Sequence, residues 1–191
     1  MSHTPLIDAR VWQLLLIIDR ELAAEAHKTG CACGGRLHSA RYRRKPRGGL
    51  PAELRSEYSR RESLCCAREG CRRRTTPPSV RFLGRRVFLA AVVVLVSALT
   101  SGLTPQRSAK LRGLFGVRER TLQRWRAWWL QSFPRTVFWK GARAHLVPDV
   151  DEQRLPASLL ERFVDPLSGG LVSCLRFLTP ITTREGYAMA V

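Results

Sequence analysis

Five cysteines crowded into forty-odd residues, Cys31, Cys33, Cys65, Cys66 and Cys71, constrain this chain more than any other feature. Between the two groups runs RYRRKPRGGLP, a basic stretch broken by glycine and proline, with too few apolar side chains to fold around a core of its own. Something other than hydrophobic burial must hold it. The apolar run from Trp12 to Ile18 is preceded by Asp8 and closed at once by Asp19, Arg20 and Glu21, which is not the pattern of a secretory leader. The chain is therefore expected in the cytoplasm, where clustered cysteines serve as metal ligands more often than as disulfides. Two close pairs, Cys31 with Cys33 and Cys66 with Cys71, can bring four thiolates to a tetrahedral, structural Zn2+, the Glu69-Gly70 turn bending Cys71 back toward the ion. Cys65 and His38 stand as substitutes for a member of that set. Zinc binding worth on the order of 10 kcal/mol orders a segment otherwise too polar to fold. A catalytic zinc needs an open position and a nearby general base, neither of which this region offers. Cys174, alone on an apolar helix face, reads as a buried structural thiol.

The charge is as unevenly placed as the cysteines. Lys and Arg number 33 against 15 Asp and Glu, a net charge of +18, and 29 of the bases are Arg. Residues 36–86 hold 16 basic and 4 acidic side chains, and residues 106–145 hold 10 and 1. All other segments together sum to −3. An excess of this size repels itself unless a polyanion shares the space, and its confinement to two blocks has the form of a binding face. Nucleic acid is the expected partner, a membrane surface being the other polyanionic possibility.

Apolar residues at Ile7, Val11, Leu14, Leu15, Ile18 and Leu22 predict an amphipathic helix from Pro5 to about Ala26, with Gly30 closing it. After Cys71, RRRTTPPSVRF predicts a short strand and a turn. The segment Val87–Leu99 is the most apolar of the chain. Its thirteen residues would rise about 20 Å as a helix, short of the roughly 30 Å of a bilayer core, so a buried helix is expected and not a membrane span. Thr104-Pro105 marks a helix start, with Ala109, Leu111, Leu114 and Phe115 as its apolar face and Gly116 as its end. A second helix is expected from about Arg118 to Ser132, stopping before Pro134. Beyond Lys140, two short apolar helices are expected near Leu159–Val164 and Leu171–Leu178, and the acids Asp149, Asp151, Glu152, Glu161, Asp165 and Glu185 read as a solvated linker. The expected architecture is mainly α with a small β zinc ribbon and a helix-turn-helix three-helix core. Its segments are an amphipathic helix (1–30), the ribbon (31–86), the helix-turn-helix (87–134) and a helical tail (135–191).

In a helix-turn-helix, the second helix presents its N-terminal residues to base edges in the major groove. Val117, Thr121, Leu122, Trp125 and Trp129 share one face of the second helix, and Arg120, Gln123 and Arg124 project from the other. Arg and Gln pair bidentately with guanine and adenine, so this triplet can read sequence. Arg107, Lys110, Arg118 and Arg126 flank it as phosphate contacts. Trp125, Trp128 and Trp129 read as packing residues.

CACGG at 31–35, CAREGCRRRTTPPSVRF at 66–82 and GLTPQRSAKLRGLFGVRERTLQRW at 102–125 together resemble the N-terminal DNA-recognition module of bacterial insertion-sequence transposases of the DDE type. Arg118 stands where that family's pattern often has Ser as the helix cap. The resemblance implies a zinc ribbon, an apolar helix and a helix-turn-helix. The family's RNase H-like catalytic domain, whose three carboxylates hold two metal ions, is not expected among the residues that follow position 134. The resulting expectation is a non-catalytic, nucleoid-associated, sequence-specific DNA-binding protein, accessory to a mobile element, with a separate transposase or recombinase chain as partner. A stand-alone transcription regulator and a zinc-ribbon RNA-binding protein, the latter favoured by the Arg-rich loop 41–47, are the alternatives.

Overall fold

The computed structural model describes residues 7–83, 86–100, 104–163, 169–183 and 188–189. Of the positions named above, Pro5, Gly102, Leu103, Val164, Asp165 and Glu185 lie outside this set. The first helix, α1 (Ala9–Thr29), begins where Asp8 accepts the backbone N–H of Arg10 and ends at Gly30, whose φ of 76° suits a residue without a Cβ. Its inward face is Trp12, Leu15, Leu16, Ile18, Asp19 and Ala23. Leu14, expected inside, is instead exposed, because the face that meets the core is rotated toward Trp12 and Leu16.

Two small antiparallel sheets follow. β1 (Leu37–Ser39) and β2 (Tyr42–Arg43) precede a short helix, α2 (Arg55–Tyr58), after which come β3 (Arg60–Arg61), β4 (Leu64–Cys66) and β5 (Arg74–Thr75). β1, β4 and β5 form a three-stranded sheet in that order, and β2 pairs with β3. The register sets Leu37 opposite Cys66 and His38 opposite Cys65. Successive strand residues face opposite sides, so Leu37, Leu64 and Cys66 share one face and His38 and Cys65 the other. Apart from cysteines, the buried cluster on the inner face contains only Leu37 and Leu64.

The apolar segment forms α3 (Ala90–Thr100), buried at Ala90 through Val94 and again at Val96 through Ala98. No helix among the described residues is long and apolar enough to cross a membrane. α4 (Pro105–Leu114) starts at Thr104, which accepts from Arg107 N, and α5 (Glu119–Ala127) follows after Gly116, at φ 63°. Both pack on α3. α4 buries Leu111, with Phe115 half-buried beyond its end. Leu114 is 57% exposed and Ala109 is exposed too, which corrects the face expected for this helix. At the end of α5 the helix widens to a π turn over Trp128–Ser132. Two consecutive indoles in this turn, Trp128 and Trp129, are both buried.

The rest of the chain wraps this core. α6 (Val137–Ala142), α7 (Ala157–Leu160) and α8 (Gly169–Phe177) contribute Trp139, Leu159 and Leu175 to one buried cluster that also contains Trp12 of α1, Val92 of α3 and Trp125 of α5. Ala188 accepts the N–H of Val137, tying the tail to α6. Glu152 is no mere solvated linker residue, since it accepts the indole N–H of Trp139 at 2.7 Å and a guanidinium N–H of Arg143 at 3.2 Å.

A buried ion pair joins α1 to the segment after the sheets. Arg81 and Asp19, both 1% exposed, meet at 2.8 Å, and Asp19 also accepts from Ser79 Oγ and Val80 N, each at 2.7 Å. Arg81 donates further to the Glu57 and Arg60 carbonyls and lies over the rings of Tyr58 and Phe82. Arg61, 2% exposed, donates to the Pro77 carbonyl. Two of the sixteen bases in the first basic block are thus interior scaffolding, not part of a binding face.

Candidate metal centre and basic helix face

The Sγ atoms of Cys31, Cys33, Cys66 and Cys71 lie within 4.8 Å of one another and could hold a metal ion. Cys31 reaches Cys71 at 3.8 Å and Cys33 reaches Cys66 at 3.5 Å, too far for disulfides. A tetrahedral Zn2+ with 2.3 Å bonds to sulfur places its ligands about 3.8 Å apart, so the quartet is already compatible with that ion. These are the four residues grouped by sequence spacing. Cys65 and His38 are not part of the cluster, because each stands on the opposite face of the sheet from Cys66. Cys65 Sγ is instead directed at the Arg72 carbonyl, 3.6 Å away.

Local backbone geometry builds the site. Gly34 N–H donates to the Cys31 carbonyl at 2.7 Å, turning the chain so that Cys31 and Cys33 both face inward, and Gly34 takes φ 76° to do so. On the other side Cys71 N–H donates to the Arg68 carbonyl, with Gly70 at φ 81° supplying the turn expected from Glu69-Gly70. The Arg68 N–H points at Cys66 Sγ from 3.4 Å, and its guanidinium donates to the Cys33 carbonyl at 2.7 Å, joining the two halves. The Gly35 N–H and the neighbouring thiols bring Cys33 down to about 6. The Arg68 N–H also favours the Cys66 thiolate, yet burial and the three other sulfurs outweigh it and push Cys66 up to about 12. Elsewhere, Cys174 is fully buried and pushed up to about 12 by that burial, as an inert core thiol should be.

Gly35 marks how tightly the cluster is enclosed. A Cβ there would sit 2.6 Å from Cys66 Sγ, 2.9 Å from Arg68 Cβ and 3.3 Å from Cys33 Sγ. Gly35→Ala should weaken metal binding about 10- to 100-fold, the usual cost of disturbing the supporting shell of a metal site. Competition with a chromophoric chelator measures it, and an unchanged affinity would mean that the sulfurs do not close on an ion in this arrangement.

The second candidate surface is α5. Arg118, Arg120, Gln123, Arg124 and Arg126 are exposed, as are Arg107 and Lys110 on α4. Val117, Trp125 and Trp129 are buried behind them, while Thr121 and Leu122 are half-buried. Positions 120, 123 and 124 fall on one side of the helix by their spacing. The sole acid between residues 106 and 145, Glu119, is held by Arg112 at 2.5 Å across the turn, so this stretch has no second carboxylate to offset Arg118, Arg120, Arg124 and Arg126. Arg118 occupies the cap position without making a side-chain cap bond.

Sequence reasoning overlooked a third feature. A cleft of about 490 Å3 opens between the loop Arg44–Leu50 and the turn at Phe115-Gly116, with Arg55, Ser59 and Phe88 completing its wall. The Arg-rich loop was visible in the sequence, but its apposition to the turn before α5 was not. Comparison with family models, characterised proteins and solved structures finds no match to this chain.

Proposed function

We propose that this protein binds duplex DNA in a sequence-dependent manner, with a structural zinc ribbon organising residues 31–75 and a helix-turn-helix formed by α4 and α5. One observation carries the reading: Arg120, Gln123 and Arg124 are exposed together on a helix whose other side is anchored by Val117, Trp125 and Trp129, with the local acid already neutralised by Arg112. Side chains so anchored can make bidentate contacts to guanine and adenine edges, and Arg107 and Lys110 supply phosphate contacts from the preceding helix. The transposase-like sequence pattern supports a role at the ends of a mobile element or at its promoter, with another chain performing strand transfer.

Selection from random duplexes, followed by fluorescence anisotropy at several salt concentrations, tests this. Arg124→Ala should lose about 1–3 kcal/mol of discrimination between the selected site and a scrambled one. Arg107→Ala should weaken both equally and reduce the slope of log K against log salt by about 0.9, the release of one phosphate's counterions. An affinity indifferent to salt, or a preference for single-stranded RNA over every duplex, would refute the proposal.

A further inference from the structure

We infer that the cleft between the Arg44–Leu50 loop and the α4–α5 turn binds the sugar–phosphate backbone of DNA flanking the segment read by α5. This rests on the duplex-binding reading above and gives that reading a second contact region. Arg44, Lys45, Arg47 and Arg55 line the cleft, and none of its lining residues is acidic. The side chains of Lys45, Arg47 and Arg55 are exposed and make no hydrogen bond or ion pair among the described residues. Arg44 is held in place, donating to the Arg86 carbonyl at 2.7 Å and lying over the Phe82 ring. A concave wall lined by Lys45, Arg47 and Arg55, with Arg44 behind them and no acidic residue among its lining, attracts phosphate, and the half-buried Phe115 offers an apolar surface to a deoxyribose.

The wall is built, not draped. Arg47 N–H donates to the Val87 carbonyl at 2.9 Å, and Leu89 N–H donates to the Arg47 carbonyl at 3.0 Å, fastening the loop to the start of α3. Gly48, at φ 124°, presses on α3 so closely that a Cβ would meet Val92 Cγ2 at 2.5 Å. Leu50 is buried beyond it. The loop backbone is therefore fastened to the start of α3, on which α4 and α5 also pack, so the backbone that carries Arg44, Lys45 and Arg47 is in place before binding. The cleft's volume lies within the range of ordinary ligand sites and can admit a backbone unit.

The test uses the full-length, metal-loaded protein and its selected duplex. Arg47→Ala/Arg55→Ala should lower affinity for selected and scrambled duplexes by the same factor and make the salt slope shallower by about 1.8, two phosphates' worth. Arg47→Lys/Arg55→Lys should restore the slope. A control with the same charge loss elsewhere, Arg10→Ala/Arg176→Ala, should leave it nearly unchanged, since both positions are exposed and outside the cleft. Metal content and urea unfolding confirm that each variant is folded. An unchanged slope in the cleft variant, or an equal change in the control, overturns the cleft assignment while leaving α5 binding intact. Failure of the unaltered protein to bind any duplex at low salt overturns both.

Discussion

Asp19→Ala should destabilise the protein by about 3–5 kcal/mol, a large share of the 5–15 kcal/mol that holds a typical domain together. The carboxylate is fully buried on α1 and collects the Arg81 guanidinium, the Ser79 hydroxyl and the Val80 N–H. Its removal strands a buried cation against Tyr58 and Phe82, and a buried charge without its partner costs far more than the pair contributes net. The sign of the remedy follows from the same physics. Asp19→Leu combined with Arg81→Met should recover part of the loss, because no stranded cation remains, while the buried Ser79 hydroxyl and Val80 N–H still lose their acceptor. Urea unfolding of the two single variants and the double variant measures the coupling. A single-variant loss below 1 kcal/mol would mean that water reaches Arg81, against the burial described.

Cys66→Ser should abolish stoichiometric metal binding, whereas Cys65→Ser and Cys174→Ser should each retain one ion per chain. Cys66 belongs to the quartet, Cys65 projects from the other face of the same strand, and Cys174 is sealed in the helical core. Mass spectrometry under native conditions counts the ion. The structural consequence should be local. The cluster around the sulfurs has only Leu37 and Leu64 as buried apolar partners outside the cysteines, far too little to offset chain entropy without a metal. Hydrogen exchange after chelation should therefore lose protection at β1 and β4 while Val92–Val96 amides in α3 stay protected, since those residues belong to the separate large cluster. Equal protection at β1 and β4 with and without metal would remove the need for an ion.

Much of the four-cysteine cluster and of the helical layout was readable from residues alone, because both are set by short-range rules. A thiolate ligand set depends on spacing and a turn, and Cys31, Cys33, Cys66 and Cys71 carry both. Helix boundaries at Gly30, Thr104 and Gly116 depend on cap chemistry within a few residues, whereas the Asp8 cap that starts α1 was not read from the sequence, which suggested a start at Pro5. Rotation of a helix about its own axis is harder to read. Leu14 and Leu114 have the right spacing for an apolar stripe, yet each lies outside because the partner surface meets a neighbouring line of residues.

What the sequence determined by itself is local: where the chain turns, which segment must be buried, which cysteines can meet, and that positive charge is concentrated in two blocks. Only the tertiary structure decided which of those charges face outward. Arg61 and Arg81 are indistinguishable by composition from Arg47 and Arg55, but the first two lie among buried groups and the second two line an open cleft. The physical reason is that a guanidinium's role depends on which carbonyls, carboxylates and rings arrive from distant segments. Asp19 stands more than sixty residues from Arg81 along the chain, and Phe115 is as remote from Arg47. No local pattern records such encounters. They come from the packing of α1 and α3 against everything that follows.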